Sequence, residues 1–188
     1  APLAEVYEQV WHEPVDSEIV VYTLNSTEYD YSPLTGGADR EAFTTTVNGL
    51  SGYGNWDVVD ADVSFTYQDV NEKEYDYTFT QAWQAGSGGT TRRNLYFTPK
   101  APCKVTVLFS GGDASRSMTI YQSDDNMITQ PGTGSVKDFS LEITDTSTPV
   151  YVYGGSSNQQ LYAIIVEYYA QQAYTTEDLG AAVFGFVQ

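Results

Sequence analysis

YDYTFTQAWQA (75–85), RNLYFTP (93–99), KVTVLFSG (104–111), SMTIYQSD (117–124), FSLEIT (139–144), PVYVYGG (149–155) and LYAIIVEYY (161–169) follow one another at short intervals. Each run is rich in β-branched and aromatic residues, and Gly, Ser, Thr or Asp turns separate them. Short runs of this kind predict an all-β fold, an antiparallel β-sandwich of jelly-roll-like form. Aromatics and neutral amides sit on the strand faces, and these groups suit neutral polyols.

Upstream of this stretch the pattern is looser. Leu3, Val6, Tyr7 and Val10 share one face of a short helical segment that Pro14 ends. EIVVYTL (18–24) reads as a strand. Residues 25–41 read as loop, with Pro33 and the Gly36-Gly37 pair. AFTTTVNGL (42–50) reads as a Thr-rich strand. Gly52–Asp57 reads as a turn holding Tyr53 and Trp56. Val63, Phe65 and Tyr67 alternate along the next strand, and Asn71–Glu74 connects a hairpin. Ala85–Thr91 is a loop within the sandwich, not a linker between domains. Downstream of Glu167 the alternation fades, and Thr175 or Thr176 can cap a short C-terminal helix. The expected organisation is one domain over 1–188, with short N- and C-terminal extensions.

The chain has 188 residues, 41% of them hydrophobic and 14% aromatic, with 16 tyrosines, enough to bury a core without covalent staples. Its 25 acids against 8 bases give a net charge of −17, which repels nucleic acid and anionic membranes. Cys103 is the single cysteine, so no intrachain disulfide forms, and it reads as a small buried hydrophobe. His12 is the single histidine and is far from it in sequence, which leaves little for acid–base or nucleophilic work. Ala1 opens without a leader pattern and reads as a mature or trimmed end. No apolar run is long enough to span a bilayer. Asn25-Ser26-Thr27 matches a glycosylation sequon by pattern alone.

Several blocks match a known pattern in order and spacing. They are FTQAWQAGSGGTTRRNLYFTP, CKVTVLF, SRSMTIY and YVYGGSSNQQLYAIIVEY. The arrangement resembles a β-sandwich module appended to bacterial pectate lyases and other secreted polysaccharide-acting proteins, with a family-like core of about 42–168. Arg93 and Arg116 stand where that pattern has arginine, and Tyr151, Tyr153 and Tyr162 match its closing strands. Where pectin-associated members carry cations before the loop, this chain has Gln81, Ala82 and Gln84. Amides bond hydroxyls and gain nothing special from uronate carboxylates. In its acidic, Tyr-rich composition the chain is also similar to starch-adherence modules of gut anaerobes. The resemblance implies a secreted or cell-surface protein with other domains in a larger multimodular parent.

The site residues expected are Trp56, Trp83, Gln84, Arg93, Asn158 and Gln160. Trp56 lies in a Gly/Asn turn, so its indole is the first candidate for stacking on a sugar ring. Trp83 alternates with Phe79, which favours the core, although Gln81 shares that phase. Gln84 borders the Gly/Ser loop, and Asn158–Gln160 fall in a turn where Asn also serves plain turn chemistry. One of Arg92 and Arg93 is expected to pair with an acid. No catalytic residue and no cofactor is expected. Asp57, Asp60 and Asp62, or Asp124, Asp125 and Asn126, leave calcium open without matching a calcium-loop pattern. The reading is non-catalytic binding of a neutral plant polysaccharide, an α-glucan such as starch first. A pectin-binding accessory module, a structural or adhesive surface module, and a small glycoside hydrolase or lyase stand as alternatives.

Overall fold

A computed structural model describes residues 16–170. It is an antiparallel β-sandwich. One sheet runs β3 (Asp57–Gln68), β4 (Glu74–Ala85), β11 (Gln159–Tyr168), β6 (Cys103–Ser110) and β9 (Val136–Ile143), with β1 (Glu18–Tyr22) also paired to β11. The other runs β2 (Ser51–Tyr53), β5 (Asn94–Phe97), β10 (Val150–Gly154), β7 (Met118–Ser123) and β8 (Asn126–Gln130).

Period-two alternation explains how the sheets pack. In β10, Val150 and Val152 are buried between the sheets while Tyr151 and Tyr153 point outward, half-buried. In β6, Val105, Val107 and Phe109 face the opposing sheet. The same core takes Tyr22, Tyr31 and Leu34, so it draws on chain upstream of the expected 42–168. Cys103 is free and buried there, and burial pushes its thiol up to about 12, which leaves it a packing residue.

β11 is the central strand and carries a bulge. Its register shifts between Leu161 and Ala163, so Tyr162 and Ala163 both fall on the outer face. Above the bulge Gln159–Leu161 pair with β4, and below it Ile164–Tyr168 pair with β1. The Thr23 hydroxyl donates to the Tyr162 carbonyl at 3.0 Å, where one partner gives way to the other.

Below that point the β3–β4 hairpin folds across the outer face. The Tyr67 hydroxyl donates to Glu167 Oε1, and the Val70 amide donates to Glu167 Oε2 at 3.0 Å. Ser17 Oγ donates to Glu167 Oε2 as well, at 2.9 Å. Lys104 Nζ lies 5.6 Å from the Tyr67 ring centre. A second core forms beneath the hairpin from Tyr67, Phe79, Leu108, Tyr162, Ala163 and Ile165.

Residues 42–50 form no strand. Val47 and Leu50 bond each other across a tight turn with Asn48 and Gly49 at φ 48° and 79°, and β2 starts only after it. Glycine takes such a conformation without penalty, and Asn takes it more readily than most residues. The two terminal helices expected from sequence, with Trp11 and His12, lie outside the described residues. Among the described residues no helix is long and apolar enough to cross a membrane.

Candidate functional site

The two candidate tryptophans are sealed. Trp56 is 1% exposed and its Nε1 donates to the Asn94 carbonyl at 3.3 Å. Trp83 is fully buried, donates to the Leu34 carbonyl at 3.2 Å and meets the Tyr31 ring edge-on at 6.4 Å. Both stand in the intersheet core, so neither can stack on a sugar: Trp83 takes the core position its alternation favours, and the stacking role expected of Trp56 does not hold. Gly52–Asp57 is not an open turn: Ser51–Tyr53 pair with β5, and Gly36 bridges Trp56.

Gln84 and Gln160 do come together. They are cross-strand partners on the outer face of the six-stranded sheet, with Asp57 beyond Gln84 and Ser110 beyond Gln160. The Tyr162 hydroxyl donates to Gln160 Oε1 at 3.1 Å and shares a 2.7 Å bond with Ser110. Asn158 is exposed with φ 62°, which is turn geometry. Arg93 also has positive φ, at 37°, and its guanidinium lies against Gly86. Arg92 makes the ion pair expected of one of the two, with Asp39 at 2.7 Å. Gln159, between the two turn residues, is buried and donates to the carbonyls of Ala85, Gly86 and Ser156.

A different face gathers the aromatics. Tyr96, Tyr151 and Tyr121 are in register on the adjacent strands β5, β10 and β7, all on the outward phase of the five-stranded sheet. The Tyr96 and Tyr151 rings lie 5.1 Å apart, tilted by 40°. Tyr121 and Tyr153 lie 6.5 Å apart, tilted by 45°. Tyr53 on β2 and Met127 on β8 extend the patch to both sheet edges. Thr119 and Thr129 add hydroxyls that bond each other at 2.7 Å. These tyrosines are half-buried, fixed by their neighbours yet still open to solvent.

No acid or base occupies the outward positions of this sheet. Asp124 in the β7–β8 turn borders the patch, and its carboxylate accepts from the Tyr121 hydroxyl at 2.8 Å. Partial burial holds the Tyr151 hydroxyl above its ordinary range, with Tyr96 and Tyr53 adding to the effect. Burial and then Asp124 do the same for Tyr153. Both therefore remain neutral donors through the physiological range. None of these tyrosines is among the expected site residues, although the V-Y-V-Y alternation at 150–153 is the patch's sequence signal. Among the described residues no three of His, Cys, Asp and Glu gather into a metal site.

No family model matches the chain, and no curated protein matches it. Some solved structures are similar. One comes from work on how the complexity of the Ruminococcus flavefaciens cellulosome reflects an expansion in glycan recognition. It is 16% identical at a TM-score of 0.41, covering 85% of this chain and 100% of that one. The CBM22-1–GH10 modules of Clostridium thermocellum xylanase 10B, complexed with xylohexaose, are 9% identical at a TM-score of 0.43. That match covers 86% of this chain and 30% of the other. A carbohydrate-binding module of Cellvibrio mixtus lichenase 5A, in complex with cellotriose, is 11% identical at a TM-score of 0.27, covering 59% and 95%.

Proposed function

We propose that the chain is a non-catalytic carbohydrate-binding module that holds a neutral polysaccharide on the tyrosine face of its five-stranded sheet. The observation that carries this is an uncharged, aromatic strip crossing three adjacent strands on a molecule of net charge −17. Ring faces pack against the C–H faces of pyranoses, and the phenol and threonine hydroxyls meet sugar hydroxyls. An acidic glycan gains no cation here and meets repulsion from the rest of the surface. A pectin ligand is disfavoured on that ground.

An α-glucan such as starch is the first ligand to test. The rings are tilted by 40° and 45° rather than coplanar, which suits the curved chain of an α-glucan better than a flat ribbon. The Gln84–Gln160 pair faces the other way, on the opposite sheet, and is not part of this strip. Secretion or cell-surface display and further domains in the parent protein belong to the same reading.

Electrophoresis through gels containing starch, xyloglucan or polygalacturonate tests it. The protein should be retarded by a neutral glucan and not by polygalacturonate. Tyr151→Ala should weaken retention at least tenfold, about 1.4 kcal/mol, with thermal unfolding still cooperative. If no neutral polysaccharide retards the chain, the structural or adhesive reading replaces this one.

A further inference from the structure

Between β1 and β4, where the six-stranded sheet exchanges one strand for the other, lies a cavity of about 340 Å³. Ile19 and Val21 of β1 form one wall, and Tyr77 and Phe79 of β4 form the other. The two rings are stacked, with centres 5.9 Å apart and planes 22° apart. Thr27 and Glu28 stand on the rim. The walls follow from alternation: Ile19 and Val21 take the outward phase of β1, while Val20 and Tyr22 fill the intersheet core.

The rim is held in place before any ligand arrives. Asn25 Nδ2 donates to the Thr78 carbonyl at 3.1 Å, tying the 25–28 loop to β4. Ser26 Oγ accepts from the amides of Glu28 and Tyr29 at 3.2 and 3.3 Å, which fixes the loop internally. The loop side of the recess is thus anchored, while Thr27 and Glu28 are exposed, and their hydroxyl and carboxylate make no intramolecular hydrogen bond among the described residues. Burial keeps the Tyr77 hydroxyl protonated above its ordinary range.

An aromatic and aliphatic floor with hydroxyl and carboxylate groups at the mouth matches a small polyol that has one apolar face. Glu28 accepts from sugar hydroxyls and repels phosphate and uronate groups. The volume lies at the low end of the range for small-molecule sites, which suits one or two pyranose rings, not a long chain. We propose that this cavity is a second carbohydrate site, specific for a short neutral sugar and separate from the tyrosine strip on the other sheet. With both sites filled, the module bridges two ligands.

Maltose is the short probe and maltoheptaose the long one, each titrated into the full 188-residue chain by calorimetry. Tyr151→Ala should still bind maltose. Thr27→Trp, at an exposed position, should fill the mouth and cut maltose affinity in the Tyr151→Ala background at least tenfold, while Thr27→Trp alone keeps maltoheptaose binding. Glu28→Gln should weaken maltose several-fold with an unchanged melting temperature, which separates loss of the site from loss of the fold. No saturable maltose binding by Tyr151→Ala, or an affinity indifferent to Thr27→Trp and Glu28→Gln, overturns the second site. Failure of the strip has a different signature: Thr27→Trp then binds no maltoheptaose, while maltose binding by the unaltered chain persists.

Discussion

On the outer face of the six-stranded sheet Tyr67 is 3% exposed and its hydroxyl ends on Glu167. On the outer face of the five-stranded sheet Tyr151 stays half-buried, with neighbouring rings at its side and, among the described residues, no hairpin above it. The residue type is the same and strand length separates the two. β3 and β4 are each 12 residues long, overshoot the sheet and fold back over it, so the chain covers the part of this face around Tyr67 and Glu167 itself. Around the other face β2, β5, β7, β8 and β10 have 3 to 6 residues each, too short to return across the sheet. A tyrosine-rich face is therefore open or spent according to how far its hairpins reach, and composition alone does not distinguish the two.

The sharpest way to break this contrast is Glu167→Ala. It strands the Tyr67 and Ser17 hydroxyls and the Val70 amide at a buried position. The expected cost is about 3 to 5 kcal/mol in urea unfolding. An unchanged midpoint would mean that the covered face does not hold the hairpin down.

A smaller effect comes from alkali. Burial raises Tyr22 and Tyr67 well above the ordinary tyrosine range and Tyr168 to about 12. The unfolded chain ionises these groups near pH 10 while the folded chain keeps them neutral. Stability should be intact below about pH 10 and fall as pH rises through the folded values, by on the order of 1 kcal/mol per tyrosine at pH 11. Urea midpoints at pH 8 and pH 11 measure the loss, and equal midpoints would contradict it.

The smallest change is Tyr121→Phe on the open face. It removes one exposed hydrogen bond to Asp124 and should shift stability by less than about 0.5 kcal/mol. The ring remains, so starch retention should change only slightly. A large loss would move the ligand's grip from the ring to the hydroxyl.

The sandwich was legible because its signal is local: alternation along FSLEIT and PVYVYGG marks β9 and β10, and the continuous apolar run LYAIIVEYY marks β11, which is buried on both faces. The candidate site was not, because its geometry is non-local. Tyr96, Tyr151 and Tyr121 are far apart in the chain and meet only through the register of β5, β10 and β7. Gln84 and Gln160 became partners in the same way, across β4 and β11. Gly and Asn around Trp56 read as loop formers, which hides its burial. Here Gly52 serves close approach instead, since a Cβ on it would sit 2.2 Å from the Asn94 carbonyl oxygen. That contact lets β2 lie on β5, with Trp56 tucked beneath. Trp83 and Phe79 share a phase in β4 yet occupy different cores. The hairpin leaves the sheet between them, and periodicity carries no information about that departure.

The exchange of neighbours along β11 sets where this fold can be trimmed. A chain shortened to begin near residue 42 would lose five rungs of backbone pairing on the central strand. It would leave a row of bare amides and carbonyls in the middle of a sheet, a docking template for any passing extended segment. The short strand at 18–22 is thus the guard that keeps one molecule from stitching itself to the next.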